Sequence, residues 1–424
     1  MILRHAIAAL LIATACLSTP ANAQHQQETD PPKRLLMHVM PWYETPEVRG
    51  FWGGHWTGWG KHDPEQIEDN GLPDIYSHYH PLIGLYDSAD PHVIECQLLQ
   101  MKLAGVDGII VDWYGISDAV DYPIIHTATL AIFEQTRRLG MEFAVCYEDR
   151  TIQLLVEREH ITPDQITEHL TQTMQWLQDN WFQQPNYTRI NGHPLLLNFG
   201  PIYVSDPKPW QTALNSINPR PRFFALHHLW KNTRADGGFT WVHDYVWDNN
   251  PTPAEIRERL QRVHQHPNTP PHQMIPSAVA GYHDIYENSL AAKSHRDGDT
   301  LREMLDVAMQ GDWPIVQLVT WNDYGEGTMI EPTHEFGYLF LEIIQQARRQ
   351  EQPQTFTHTP EDLRLPAQLL KLRQQAKHAE QGGQRHGDAK LIDEVRLNAI
   401  ALNLAAGKTE AAREQLNRLI QPTP

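Results

Sequence analysis

Cysteine is nearly absent from this chain. Three occur in 424 residues, and Cys16 lies in a leader that export would remove, leaving Cys96 in a helical pattern and Cys146 in a strand pattern. Two cysteines make no disulfide framework, so they are read as buried free thiols and stability is left to a packed core. Positive charge is also short. The chain has 34 Lys and Arg against 52 Asp and Glu, a formal charge of −18 that becomes −19 once residues 1–23 take away Arg4 and no acid. Nucleic acid and anionic membranes repel such a chain, whereas a neutral substrate does not. Long apolar runs are missing too. The one candidate, Ala6–Leu17, is too short for a stable membrane span. It follows Arg4 and His5 and precedes Ala21-Asn22-Ala23, the small-x-small pattern of a cleavage site, so residues 1–23 read as a signal peptide and export to a bacterial periplasm or beyond is expected. Paired histidines with metal-ligand geometry are lacking as well. His78-Tyr79-His80 follows a segment that is no apolar strand and runs into Pro81, and adjacent His227 and His228 point to opposite faces of a strand. Neither a metal nor a cofactor is expected.

What the chain does contain is a concentration of acid and aromatic groups in Val316–Thr333, VQLVTWNDYGEGTMIEPT. Val316, Leu318, Val319 and Thr320 read as a buried strand that Trp321 closes, and Gly325 and Gly327 force an irregular turn. Asp323, Glu326 and Glu331 therefore leave a strand end on a loop, with Trp321 and Tyr324 beside them. Carboxylates at the end of a rigid strand, flanked by aromatic faces, point first to glycosidic-bond chemistry. The bland alternative has Asp323 capping the turn and Glu326 in a surface ion pair.

Upstream, strands alternate with helices. The strands are expected at Leu35–Met40, Gly108–Trp113, Phe143–Tyr147, Pro194–Phe199, Arg222–Leu226, Val242–Trp247, Met274–Ala280 and the run from Val316. Asp90-Pro91 begins a helix that Gly105 ends, Thr162-Pro163-Asp164-Gln165 forms a capping box, and Thr252 caps the helix after strand six. Gly237 and Gly238 are taken as part of an excursion between strands five and six. Eight strands with helical crossovers between Leu35 and Arg348 make an α/β chain, a (β/α)8 TIM barrel, with site residues at the C-terminal strand ends. The domains read as 1–23 signal peptide, 24–352 barrel and 353–424 helical C-terminal extension. In the extension Leu397, Ile400, Ala401 and Leu404 share one helix face.

At the strand ends stand Trp42 and Tyr43, then Asp112, Trp113 and Tyr114, then Glu148, Asn198 and Tyr282. With Trp321, Asn322, Tyr324 and Glu331 they are candidates for binding sugar hydroxyls and faces. A loop carrying Trp52, His55, Trp56 and Trp59 among five glycines is a candidate sugar-stacking wall.

The segment resembles the signature of glycoside hydrolase families 71 and 99, the endo-α-1,3-glucanase and endo-α-mannosidase/mannanase families. Trp321 to Glu326 are like family 71, and Gly327, Thr328, Ile330, Glu331 and Pro332 are like family 99. The runs MPWY, AGVDGIIVDWYG, YED and GHPLLLNF occur in the families' order. The resemblance implies a barrel hydrolase acting on an α-mannan or α-1,3-glucan polysaccharide or oligosaccharide, with Glu326 as general acid and Asp323 as general base. The family 99 counterpart of Asp323 is a glutamate that deprotonates the substrate's own 2-hydroxyl and leads to retention. An aspartate, as in family 71, points to a base that activates water and leads to inversion. Two other classes stay open on residues alone: a polysaccharide-binding barrel without turnover, and a metal-dependent hydrolase.

Overall fold

The computed structural model describes residues 32–242, 252–264, 270–286, 292–381 and 394–420. The expected signal peptide and most of the expected sixth strand, from residue 243 on, lie outside them.

Ten strands and thirteen helices follow in chain order: β1 Arg34–Val39, α1 Pro46–Arg49, α2 Gly54–Thr57, α3 Pro91–Ala104, β2 Gly108–Trp113, α4 Tyr122–Leu139, β3 Glu142–Glu148, α5 Arg150–Glu157, α6 Ile166–Leu177, β4 Arg189–Ile190, β5 His193–Phe199, α7 Pro207–Asn215, β6 Arg222–Leu226, β7 Gly237–Phe239, α8 Pro253–His264, β8 Met274–Ile275, β9 Ser277–Val279, α9 Asp299–Gln310, β10 Ile315–Val319, α10 Leu339–Glu351, α11 Leu365–Gln381, α12 Glu394–Ala405 and α13 Thr409–Ile420. The sheet order is β8-β7-β6-β5-β3-β2-β1-β10-β9, with every pairing on this path parallel and β4 added antiparallel to β5. β8 and β9 are two halves of one stave divided at Pro276. Proline has no N–H to give the ladder, while its carbonyl still accepts from Gln317 N at 2.8 Å. Counted that way, eight parallel staves wrap around with helices outside, the (β/α)8 barrel.

The staves are buried on both faces, which is why GIIVDW in β2 and IVQLV in β10 read as continuous runs without alternation. Helix starts follow the expected chemistry. Asp90 accepts from His92 N at 2.8 Å, and Thr252 and Glu255 exchange the capping-box bonds.

One stave differs from the sequence reading. The sixth is β7, at Gly237–Phe239, five residues before the expected start at Val242. The two glycines are there for close approach. A Cβ on Gly237 would stand 2.5 Å from the Phe224 ring and 2.6 Å from the Gln273 carbonyl, and one on Gly238 would stand 2.6 Å from the Trp230 ring.

Of the C-terminal helices, α11 and α12 lie against α3, and α13 packs on α12. Leu397, Ile400, Ala401 and Leu404 are the buried face of α12, as their spacing predicts. Arg373 of α11 grips Glu95 of α3 with two bonds of 2.7 and 2.9 Å, both side chains almost fully buried, and Arg138 of α4 binds the same carboxylate. Cys96 and Cys146 are buried free thiols.

Candidate active site

The loop after β10 is built before it is decorated. Glu331 is buried and its carboxylate accepts from Tyr86 Oη at 2.8 Å, Gln97 Nε2 at 2.9 Å and Tyr324 Oη at 2.9 Å. Asn322 clamps the loop to the end of β1. It accepts from Met40 N at 2.8 Å and donates to Met40 O at 2.9 Å, while Tyr43 Oη donates to Asn322 O at 2.8 Å. Gly327 has φ +65°, and a Cβ there would meet the His283 carbonyl at 2.5 Å. These residues fix where Asp323 and Glu326 sit.

Asp323 is 4% exposed, and its Oδ1 accepts from Glu326 N at 2.8 Å. The carboxylate therefore does cap its turn, and that bond fixes the Asp323 side chain against the backbone of Glu326. Glu326 is half-buried, with Oε2 enclosed and unpartnered. The loop is held from the other side by His283 N to Glu326 O and Ile285 N to Gly325 O, both 2.9 Å.

Two further carboxyls join the pair. Asp112, at the end of β2, is 5% exposed, and its carboxyl is pushed up to about 8, first by burial and then by the charge of Asp323. Glu148, at the end of β3, is raised well above the usual range by burial, then by Asp112 and Asp149. Burial raises Asp323 to about 6 against the hydrogen bonds from Glu326 N and Gly325 N. Glu326 is raised well above the ordinary glutamate value by burial, then by Asp323 and Asp284, with Lys293 pulling the other way. The barrel mouth thus gathers acids from three staves into one field.

A second cluster flanks it. Trp42 stacks on His55 with ring centroids 4.3 Å apart and faces Tyr114 at 6.4 Å. Trp42 Nε1, Trp52 Nε1, His55 Nδ1 and Glu44 Oε2 are all enclosed without a protein partner. Glu44 is raised to about 7 by burial and then by Asp87 and Asp121. Trp56 by contrast is fully buried on Tyr43, and Trp59 is exposed.

Several expected binding residues are not brought into the mouth. Trp113 points to the helix side, packs on Trp176 and Trp181 at 5.7 and 5.2 Å, and donates to His126 Nδ1 at 3.1 Å. Strand alternation sends it outward because Asp112 points inward. Asn322, Tyr324 and Glu331 are buried in the scaffold described above, and Trp321 is fully buried with its Nε1 enclosed and unpartnered. Asn198 donates to Tyr147 O at 2.7 Å and keeps Oδ1 enclosed and unpartnered, and buried Tyr282 donates to Asp284 Oδ2 at 3.1 Å. His78 stacks on His283, and His80 bonds Glu335, so the two share no ligand position.

Tyr286 and Lys293 escaped the sequence reading. A Cβ on Gly325 would fall 1.9 Å from Tyr286 Oη, so that hydroxyl packs directly on the acid loop. Lys293 is 3% exposed and lies 5.1 Å over the Tyr282 ring. The Gly-Tyr-His-Asp run after stave seven was the available signal for both, and they lie beyond its last residue.

These carboxyls set a pH dependence of stability. Asp323, Glu44, Glu331 and Asp112 have folded values of about 6, 7, 7 and 8, all above the unfolded carboxyl range. The folded chain binds their protons more tightly, so their contribution is complete below about pH 4 and is lost as pH rises through 6 to 8. Buried His38, His55 and His295 act in the opposite sense up to the unfolded histidine value of about 6.5, so the melting temperature is expected to fall between pH 7 and pH 8.5, and calorimetry showing a rise across that interval contradicts the burial of these carboxyls.

Comparison with known proteins places the chain. The profile described as Glycosyl hydrolase family 99 matches residues 34–339. The glycoprotein endo-alpha-1,2-mannosidase of Rattus norvegicus is 23% identical over 346 residues, covering 74% of this chain and 71% of the relative. That of Xenopus laevis is 23% identical over 360 residues, covering 75% of each. Among solved structures, the GH99 endo-alpha-mannosidase from Bacteroides thetaiotaomicron superposes with a TM-score of 0.55 at 19% identity, covering 76% of this chain and 98% of that one.

Proposed function

Because the chain belongs to glycosyl hydrolase family 99, and so is a glycoside hydrolase with a glycan as substrate, we propose that it is exported and cleaves internal α-mannosidic bonds of a neutral polysaccharide. Glu326 acts as general acid and Asp323 as general base. One observation carries the assignment: two acids tied by the Glu326 N to Asp323 Oδ1 bond have environments that separate their proton affinities. Asp323 ionises near pH 6, and its charge, with burial, keeps Glu326 protonated above that.

Glu326 donates its proton to the departing glycosidic oxygen as the bond from C1 breaks, and Asp323 takes a proton from the group attacking C1. Asp112 and Glu148 face the same sugar and hold its hydroxyls. Trp42, His55, Trp52 and Glu44 form a further wall, where a ring face stacks and unpartnered polar atoms find hydroxyls. The names of the relatives, glycoprotein endo-alpha-1,2-mannosidase, support an α-1,2-mannosidic bond, and the apolar leader Ala6–Leu17 supports export.

The pH profile tests the assignment. kcat/KM on a mannan oligosaccharide is expected to rise as pH passes about 6, where Asp323 ionises, and to fall at higher pH as Glu326 loses its proton. Asp323→Asn removes the acidic limb along with most of the rate. A profile with no limb near pH 6 contradicts the role given to Asp323.

A further inference from the structure

We propose that His38, Asp112 and Cys146 form a binding site for a soft divalent metal ion, with zinc as the reference case, on the inner wall of the barrel beside the acid cluster. The three residues come from β1, β2 and β3, which are consecutive staves, and each offers a ligand atom within 4.8 Å of the other two. Asp112 and Cys146 are register partners across β2 and β3, so their side chains leave the sheet on the same side.

Barrel interiors at this level are ordinarily filled by branched aliphatic side chains. Here a histidine 1% exposed, a carboxylic acid 5% exposed and a fully buried thiol take their place. The Gln317 side chain lies beside His38 and the Phe199 backbone beside the Cys146 thiol. His38 Nδ1 is enclosed without a partner, and among the described residues none donates a hydrogen bond to the Asp112 carboxylate. An enclosed ring nitrogen, a carboxyl at the barrel mouth and a buried thiol that converge within 4.8 Å are a donor set.

The kind of donors selects the ion. Imidazole, thiolate and one carboxylate suit zinc or another late first-row metal, not magnesium or calcium, which want oxygen alone. On binding, the Cys146 thiol and the Asp112 acid each release a proton to water and form bonds to the ion, which lacks only a fourth ligand. Zinc bonds of 2.0 to 2.3 Å place tetrahedral ligands about 3.5 Å apart, so side-chain rotation must close the triangle by roughly 1 Å.

Occupancy withdraws Asp112 from the barrel mouth and puts a cation in the electrostatic field that Asp112 shares with Asp323. The ion is therefore an inhibitor of the hydrolase and not its cofactor. The inhibition rests on the catalytic reading above, whereas the binding does not, and the two are measured separately.

The metal-stripped mature protein is titrated with Co2+ and followed by absorption. One equivalent is expected to bind with a thiolate-to-cobalt charge-transfer band that Zn2+ abolishes by displacement. Cys146→Ser is expected to lose the band and to weaken binding by more than about 100-fold, beyond what outer partners of a metal site cost. His38→Gln weakens binding while keeping a folded circular dichroism spectrum, and Cys96→Ser leaves both band and affinity intact. In the activity arm, Zn2+ inhibits wild type and Cys96→Ser but not Cys146→Ser, whose metal-free rate is that of wild type. No sulfur-to-cobalt band in the wild type, or a band that survives Cys146→Ser, overturns the site. Binding as described with unchanged hydrolysis overturns the inhibition alone.

Discussion

Glu326→Gln is expected to lower turnover of an unactivated α-mannoside by about 10²- to 10⁴-fold, the range a positioned general acid supplies. The glutamine keeps the side chain's size, and the half-buried position and enclosed Oε2 have no partner to lose, so folding should be untouched. What disappears is the proton for the departing oxygen. An aryl glycoside whose leaving group needs no proton should recover most of the lost rate, and that recovery separates an acid from a binding residue. Equal losses on both substrates would mean that Glu326 holds the sugar and that the acid is elsewhere in the cluster, with Asp112 next in order because it carries its proton to about pH 8.

Glu95→Ala is expected to destabilise the protein by about 3–5 kcal/mol, the cost of removing one partner from a buried ion pair. Arg373 and Glu95 are both almost fully buried, and the guanidinium would be left with half-buried Asn398 Oδ1 at 2.9 Å and the exposed Glu394 carboxylate at 3.6 Å. The bond joins α11 to α3, so the loss should appear in denaturant unfolding as a lowered midpoint. A change under about 1 kcal/mol, the level of an exposed pair, contradicts the docking of the C-terminal helices through this contact.

Much of the fold could be read from the sequence because buried parallel strands have a plain signature. β2, β3, β5, β6 and β10 are apolar runs bounded by caps and glycines, and each lies within a residue or two of its expected place. β7 was hidden for a physical reason. Its first two residues are glycines, which by local rules break a strand, and only the rings of Phe224 and Trp230 across the fold explain why nothing larger fits. Pro276 likewise lies within a stave that sequence alone draws as continuous.

The candidate site divides in the same way. Asp323 and Glu326 stood out as candidates because spacing and glycine kinks are local, and the family 99 match over residues 34–339 spans the whole of that segment. Which aromatic residues face the sugar was not visible, because that depends on inward or outward direction. Trp113 belongs to the outer layer while Asp112, one residue earlier, belongs to the mouth. Asn322 and Glu331 carry polar groups suited to sugars, yet their bonds go to Met40, Tyr86, Gln97 and Tyr324. Tyr286 and Lys293 reach the acid loop from a separate segment, a contact that no local pattern encodes.

The most direct test incubates the mature protein with α-mannan and α-1,3-glucan, wild type beside Glu326→Gln and Asp323→Asn, and follows the first products by NMR. The account predicts mannan oligosaccharides released by the wild type, no comparable release from the glucan, and loss of release in both variants. Failure of the wild type to cleave mannan, or cleavage undiminished in the variants, contradicts it.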